Sequence, residues 1–256
     1  INSHSTFRWS NGLSIGFTKD EIIHLSPDIC ITLIDNIQDV KYSLQLRPVK
    51  PEPFTLKDII VWREEEIMAA ELAASLVPSC KHYIVAKDQC PQLLYKIIFE
   101  NHLRKAYLSY PITNVRDNQA VWSDIENYRQ RLMDTFICFD PISISEGSLK
   151  GEYLKVSLSR KRKVVEVTID PENVKLRLPI SEVKEVIPNI DGQIISRDFK
   201  LIDQSDMVIA YIPELAPGQP AISTGVEREL AHAQNATMET FVIWPSTRVA
   251  SPFPVW

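Results

Sequence analysis

A strand followed by a capped helix in the last quarter of the chain constrains the fold more than any other feature. The run from Asp206 to Ile212 is apolar and rich in β-branched residues, and it stops at Pro213. A loop with proline and glycine then leads to a helical pattern from Thr224 to Ala233. This order predicts a buried parallel strand, a loop and a helix that packs back on the sheet. The first turn of such a helix favours anions, because its free N–H groups and the positive end of the helix dipole coincide.

Two carboxylates lie in the first turns of this helix and differ in their positions. Glu227 follows Thr224 by three residues, which is the spacing of a capping box that satisfies backbone N–H groups. Glu229 lies between Val226 and Leu230, on the flank of the apolar stripe that faces the sheet. A carboxylate there either forms an ion pair or faces the crevice where open α/β sheets bind ligands. Glu229 is therefore the first candidate for a functional residue.

Short β-branched runs alternate with amphipathic helical patterns along the whole chain. The predicted strands are 28–35, 83–86, 106–110, 135–140, 206–212 and 240–244. The predicted helices are 18–25, 55–76, 91–102, 118–133, 190–205 and 224–234, with capping boxes that begin at Thr18 and Thr55. This alternation predicts the α/β class, with two doubly wound units.

The boundary between the two units is predicted from the strand that begins after Lys105. The first unit then covers residues 1–104 and the second covers residues 105–256. Polar and β-branched residues alternate at 164–169, which predicts a hairpin within a β-rich insertion at about 147–179 of the second unit.

Composition narrows the classes of partner. The net charge of −5 argues against binding to nucleic-acid polymers or to anionic membranes. The four cysteines are scattered without a C-x-x-C pair, as in a reduced cytoplasmic protein, and no apolar run is long enough to span a membrane. Only seven glycines are present, and they form neither a P-loop nor a dinucleotide-binding fingerprint.

The first 100 residues or so resemble the latter part of a P-loop nucleoside or nucleotide monophosphate kinase. The resemblance rests on the order of a strand, a proline-rich crossing at 46–54, a long helix, a second strand and a closing helix, and on the segment Ser3 to Arg8. It implies a phosphate-binding loop upstream of Ile1. ATP and magnesium would matter only if that loop exists.

Three segments of the second half, within residues 106–244, resemble the nucleoside 2-deoxyribosyltransferase family, which includes the 2′-deoxynucleoside 5′-phosphate N-hydrolases. They are Tyr107 to Thr113, Asp198 to Ala210 and Ser223 to Ala233. The last contains the pattern Ser-x-Gly-Val-x-x-Glu-Leu and is the most specific of the three. The resemblance implies a flavodoxin-like unit with a parallel sheet, and it implies a dimer because members of this family often complete their sites across a subunit interface.

The resemblance also implies roles for individual residues. Glu229 is expected to attack the anomeric carbon or stabilise its positive charge, Asp198 to help protonate the departing base, and Tyr107 to support the sugar and the nucleophile. Cleavage of an N-glycosidic bond requires such groups, because its transition state resembles an oxocarbenium ion. Substrate contacts are expected from Ser109, Pro111, Ser223, Gly225 and Asp206, with Ser223 and the N–H of Gly225 holding a 5′-phosphate.

The sequence departs from this family at two places. The loop at 214–222 is longer than usual, and Thr113 stands where the phosphate-hydrolysing relatives carry an arginine, so that Arg116 or Arg197 would have to replace it. The candidate residues also have structural interpretations: Asp198 as the ion-pair partner of Arg197 or Lys200, Ser223 as a helix cap, and Tyr107 as a core residue.

Three functions are compatible with these patterns. The first is an N-glycosidase or deoxyribosyltransferase that acts on nucleosides or nucleoside 5′-monophosphates, without a metal or cofactor. The second is a nucleotide-binding sensor or regulatory module that keeps the pocket without turnover. The third is an accessory domain of a nucleotide kinase.

Overall fold

The computed structural model describes residues 2–9, 11–47, 54–89, 91–113, 115, 118–144, 146–159, 163–169 and 173–245. The strands are β1 (Thr6–Trp9), β2 (Gly12–Ile15), β3 (Ile29–Ile34), β4 (Lys81–Ala86), β5 (Lys105–Ser109), β6 (Ile137–Phe139), β7 (Val164–Ile169), β8 (Val174–Pro179), β9 (Met207–Tyr211), β10 (Glu214–Ala216), β11 (Gln219–Pro220) and β12 (Glu239–Ile243). The helices are α1 (Lys19–Leu25), α2 (Ile37–Gln45), α3 (Leu56–Ser75), α4 (Gln92–Phe99), α5 (Gln119–Thr135), α6 (Gly147–Ser157), α7 (Ile180–Asp203) and α8 (Thr224–Asn235). The predicted α/β class is therefore confirmed. Across the described ranges, every helix is too short or too polar to cross a bilayer.

The chain forms two compact units, and their limits differ from the predicted 1–104 and 105–256. The first unit comprises Ile1–Asp88 and Ile144–Ile195, and the second comprises Gln89–Ser143 and Ser196–Trp256. The segment predicted as an insertion of the second unit thus belongs to the first. The physical reason is the core: Val165 and Leu178 of the β7–β8 hairpin are buried in one cluster with Ile37 of α2 and Ile60 of α3. The apolar face of the hairpin therefore buries the apolar side chains of these two helices.

The first unit combines a parallel strand pair with antiparallel hairpins. β3 and β4 pair in parallel, whereas β1 pairs with β2 and β7 with β8 in antiparallel register. Every second residue of β7 is buried, as the alternation at 164–169 predicts for a hairpin with one face on a core. Both capping boxes predicted in this unit are present, at Thr18 with Glu21 and at Thr55 with Asp58.

The second unit is built around a four-stranded parallel sheet in the order β12-β9-β5-β6. All residues of β5 and β6 are buried, because helices cover such strands on both faces. β5 and β9 are neighbours, with Ser109 opposite Ala210 near their carboxyl ends. The chain continues from β5 to β6 on one side and from β9 to β12 on the other. The direction of strand addition therefore reverses between β5 and β9.

Helix α7 begins at Ile180, ten residues before the start predicted from the sequence at residue 190. Pro188 lies inside this helix. The earlier turns form because Val183, Val186 and Ile190 are spaced three and four residues apart and are all buried in the core of the first unit. Tertiary packing thus extends the helix through a proline that local propensity disfavours.

Candidate active site

The carboxylate of Glu229 is the centre of a polar cluster in the second unit. Tyr107 donates a hydrogen bond from its hydroxyl to Oε1 of Glu229 at 3.1 Å, and Ser109 donates from Oγ to Oε2 at 2.5 Å. Tyr107 and Ser109 alternate with Leu108 on β5, so both project to the same face of the sheet. Each carboxylate oxygen therefore has its own hydroxyl donor, and the plane of the carboxylate is fixed. The sequence predicts all three residues as site residues, and the structure brings them together.

The protonation of Glu229 is shifted towards neutral pH. Burial raises the pKa of its carboxyl group to about 7, and the nearby charge of Asp198 adds to the rise. The hydrogen bonds from Ser109 and Tyr107 and the charge of Arg197 oppose this rise in pKa. The pKa of the Tyr107 hydroxyl is raised by burial and by the charges of Glu229 and Asp198, so it remains a proton donor to the carboxylate. A carboxyl group with a pKa near 7 can change protonation state during a reaction at neutral pH.

Asp198 lies in the last turns of α7 and is held by its neighbour. The Arg197 guanidinium donates to Oδ1 of Asp198 from Nη2 at 2.9 Å and from Nε at 3.2 Å, and Nη2 also donates to the carbonyl of Pro141 at 3.4 Å. Both side chains are buried. The ion pair that the sequence offered as a structural interpretation is therefore present. Asp198 still acts electrostatically on Glu229 and Tyr107, so it belongs to the same cluster.

A second contact holds α8 against α7. The imidazole of His232 forms a hydrogen bond to Asp203 at 2.7 Å through Nε2, and its ring stacks on Phe199 with centroids 4.1 Å apart. His232 lies three residues beyond Glu229, and Phe199 directly follows Asp198. The contact therefore holds α7 against α8 near Asp198 and Glu229.

Ser223 caps helix α8, and the capping box predicted from Thr224 and Glu227 is wrong. The Oγ of Ser223 accepts a hydrogen bond from the N–H of Val226 at 3.3 Å. The helix begins one residue earlier than the predicted box requires, because Ser223 has the extended backbone of a cap and Thr224 is already helical. Gly225 lies in the first turn, and a Cβ there would meet Oγ of Ser223 at 3.6 Å, an ordinary contact distance. A Cβ atom therefore fits at position 225 without a steric clash.

The Ser223 cap is expected to stabilise the fold whatever the function of the protein. Ser223→Ala is expected to lower the free energy of unfolding by about 1 kcal/mol, because an N–H of the first turn loses its acceptor. Ser223→Asp keeps an acceptor and should stay close to the unsubstituted protein. Urea denaturation of the three proteins measures both effects. Equal stability of the alanine and aspartate variants would mean that the cap contributes nothing.

One predicted substrate contact, Asp206, lies away from the cluster. Asp206 accepts the backbone N–H of Lys105 at 2.7 Å and donates its own N–H to the carbonyl of Lys105 at 2.8 Å. Lys105 begins β5 and Ser109 ends it, so Asp206 lies at the opposite edge of the sheet, roughly 13 Å from Ser109 along the strand. Asp206 links the start of β9 to the start of β5. Its position next to β9 in the sequence does not show at which edge of the sheet it lies. Pro111 is buried two residues beyond Ser109 and ends the strand.

The structure describes both places where the sequence departs from the family pattern, the loop at 214–222 and Thr113. The long loop at 214–222 contains the antiparallel strands β10 and β11, and Glu214 accepts the N–H of Gly218 at 2.9 Å. Thr113 is exposed. Of the two arginines expected to replace the missing one, Arg197 is engaged by Asp198, and Arg116 lies outside the described residues.

Sequence reasoning missed a buried network beside the carboxyl end of β5. Asp140 accepts the Tyr110 hydroxyl at 2.6 Å and Nε of Arg129 at 2.6 Å. Burial raises the pKa of the Tyr110 hydroxyl, and Asp140 itself is fully buried. The position of Asp140 as the last residue of a predicted strand was the available signal. The network satisfies its own members, which is typical of structural support.

Comparisons with protein-family models, with curated proteins and with solved structures give no match for this chain. Within the described ranges, histidine, cysteine and acidic side chains do not converge in groups of three or more at metal-binding distances. The geometry and electrostatics around Glu229 are therefore the features that bear on function.

Proposed function

We propose that the second unit cleaves the N-glycosidic bond of nucleosides or nucleoside 5′-monophosphates, by hydrolysis or by transfer of the deoxyribosyl group. The observation that carries the proposal is the Glu229 carboxylate. It is held by two hydroxyl donors at 3.1 and 2.5 Å, and burial raises its pKa to about 7. Desolvated, oriented carboxylates are suited to attack or stabilise a developing oxocarbenium ion.

The proposal includes a flavodoxin-like fold for this unit. In chain order its four parallel strands are β5, β6, β9 and β12, and in space they follow the order β6-β5-β9-β12. That arrangement matches the first four strands of the flavodoxin-like order, whose ligands bind where the strand order reverses. Here the reversal lies between β5 and β9, and Ser109 ends β5. Glu229 therefore meets the sheet at the position where this fold binds its ligands.

In the proposed reaction the bond between C1′ and the base nitrogen breaks, and its electron pair leaves with the base. The Glu229 carboxylate attacks C1′ or stabilises its positive charge, and water or an acceptor base then takes the sugar. Asp198 is the proposed acid that gives its proton to the nitrogen of the departing base, and it regains a proton from the water or acceptor base that takes the sugar. Arg197 holds its side chain by hydrogen bonds. Tyr107 and Ser109 hold the carboxylate in place and do not themselves react.

The proposed 5′-phosphate site is the first turn of α8. Ser223 uses its Oγ to accept the N–H of Val226, which leaves the hydroxyl hydrogen able to donate to a phosphate oxygen. The helix dipole and the remaining N–H groups favour the same anion. Ser223→Asp, which keeps the cap, separates the two roles because it places a negative charge where the phosphate would bind. A larger increase in KM for the monophosphate than for the nucleoside would support this site.

The pH dependence of the reaction tests the role of Glu229. If the ionised carboxylate is required, kcat/KM should rise with pH and reach half of its plateau near pH 7, the pKa of the carboxyl group. Below that value it should fall about tenfold for each pH unit. Measurement from about pH 5 to about pH 9 covers the transition. A profile that falls above pH 7 would instead assign Glu229 as the acid and overturn its role as nucleophile.

Release of free base tests the function itself. A panel of ribonucleosides, deoxyribonucleosides and their 5′-monophosphates is incubated with the protein, and products are separated by chromatography. Release from one class supports the proposal and identifies the sugar and the phosphate requirement. Saturable binding of a nucleotide without any product would contradict the enzyme and favour the sensor module.

A further inference from the structure

The first unit contains a cavity that the proposed glycosidase reaction does not use. Its volume is about 540 Å³, which lies within the usual range for small-molecule sites. Its walls come from the carboxyl half of β3, from α2 and α3, and from the segment 2–5. All of these elements belong to the first unit, so the cavity is defined within that unit alone.

Most of the charges in this cavity are neutralised by partners in the protein. The carboxylate of Asp35 pairs with Lys87 at 2.8 Å, and that of Glu66 contacts His4 at 3.0 Å. Arg63 pairs with Glu146 at 2.6 Å. These contacts fix the charged side chains. Asp35 and Arg63 are neutralised by ion pairs, whereas the Glu66 carboxylate is held by hydrogen bonds from His4 and from the N–H of Ser5 at 2.8 Å.

Arg47 is the exception among the charged residues that line the cavity. It is exposed, and within the described part of the chain its guanidinium makes no hydrogen bond or ion pair. Among the described residues that line the cavity, Arg47 is therefore the one positive charge without a partner. A guanidinium binds carboxylate or phosphate with paired, charge-assisted hydrogen bonds.

The rest of the wall is mainly apolar. Leu33 and Leu44 line the cavity together with Ile59 and Trp62. Leu33 is 57% exposed although it lies in a concave site, so a ligand that covers it removes apolar surface from water. The wall therefore matches a molecule that has an apolar body and an anionic group at one end.

We propose that this cavity binds a small amphipathic organic anion, with a carboxylate or phosphate on Arg47 and an apolar body against Leu33, Leu44 and Ile59. Two sources share this chemistry, namely organic carboxylates and phosphate monoesters. The proposal is independent of the glycosidase reaction, because its residues belong to the other unit.

Isothermal titration calorimetry tests the proposal with probes that differ in their charged group. The panel contains 3-phenylpropionate, its neutral amide and phenyl phosphate. Because phenyl phosphate also fits the proposed 5′-phosphate site of α8, only binding that Arg47→Gln weakens is assigned to the cavity. At least one anion is expected to bind, and the amide should bind roughly tenfold more weakly or worse, because it lacks the charge. The better of the two anions identifies the source. Failure of both anions to bind at millimolar concentration would overturn the proposal.

Three variants locate the binding. Arg47→Gln should weaken the anion about tenfold or more and leave the amide unchanged. Leu33→Trp should remove binding of every probe, because the indole ring fills the cavity. Leu33 is exposed, so the substitution is expected to leave the fold intact. Lys175→Gln is the matched control, since it removes an exposed positive charge of the same unit outside the cavity. Equal losses in Arg47→Gln and Lys175→Gln would mean that binding follows only the overall charge and would contradict the site.

Discussion

Glu229→Gln is expected to reduce the rate of base release by a factor on the order of 10³ or more. The substitution keeps the length and shape of the side chain, and the remaining amide oxygen can still accept one of the hydrogen bonds from Tyr107 and Ser109. What it removes is the negative charge next to the anomeric carbon. In a desolvated site that charge is worth several kcal/mol in the transition state, because little water is present to screen it.

The control for this prediction is Glu227→Gln. Glu227 lies on the same helix and is exposed, and it makes no capping-box contact in the structure. The same chemical change there should leave the rate of base release within about twofold, as is usual for exposed positions away from a site. Chromatographic rates at saturating substrate compare the three proteins. Comparable losses in both variants would mean that the helix, rather than the Glu229 carboxylate, controls the reaction.

The α/β class was predictable because three strands of the second unit, β5, β6 and most of β9, are buried on both faces. The runs 106–110 and 206–212 are predominantly apolar, with Ser109 and Asp206 as their polar members, which is typical of central parallel strands. The assignment of the β7–β8 hairpin to the first unit was not predictable in this way. Its alternating pattern indicates one buried face, but a single sequence does not say which helices cover it.

The candidate site was predictable in part, for a similar reason. Ser109 and Tyr107 have a spacing that places them on one face of β5, and Glu229 lies on the inner flank of α8, so their meeting follows from local pattern. Asp206 was misassigned because the sequence does not distinguish the two edges of the sheet for a residue that flanks a strand. The charge of Arg47 in the cavity depends on which acids pair with other bases, and only the folded chain determines that.

The stability of Glu229→Gln relative to the unsubstituted protein is expected to increase with pH. The pKa of Glu229 is about 7 in the folded chain and about 4.5 as its ordinary value. The folded state therefore binds a proton that the unfolded state has released between these pH values, and its stability falls as pH rises through this window. Above pH 7 the folded chain carries the full unfavourable free energy of the buried carboxylate. From the pKa difference this amounts to about 3 kcal/mol.

Glutamine is neutral throughout, so the variant lacks this penalty. Denaturant unfolding at about pH 4 and about pH 8, below and above the window, should give a difference between variant and parent that grows by about 3 kcal/mol at the higher pH. Glu227→Gln, the same change at an exposed position, measures the background effect of losing one negative charge. A difference that shrinks with pH would mean that the folded protein stabilises the ionised carboxylate. The gain at pH 8 would accompany the loss of base release, since the desolvation that destabilises Glu229 is also what makes its charge effective on the substrate.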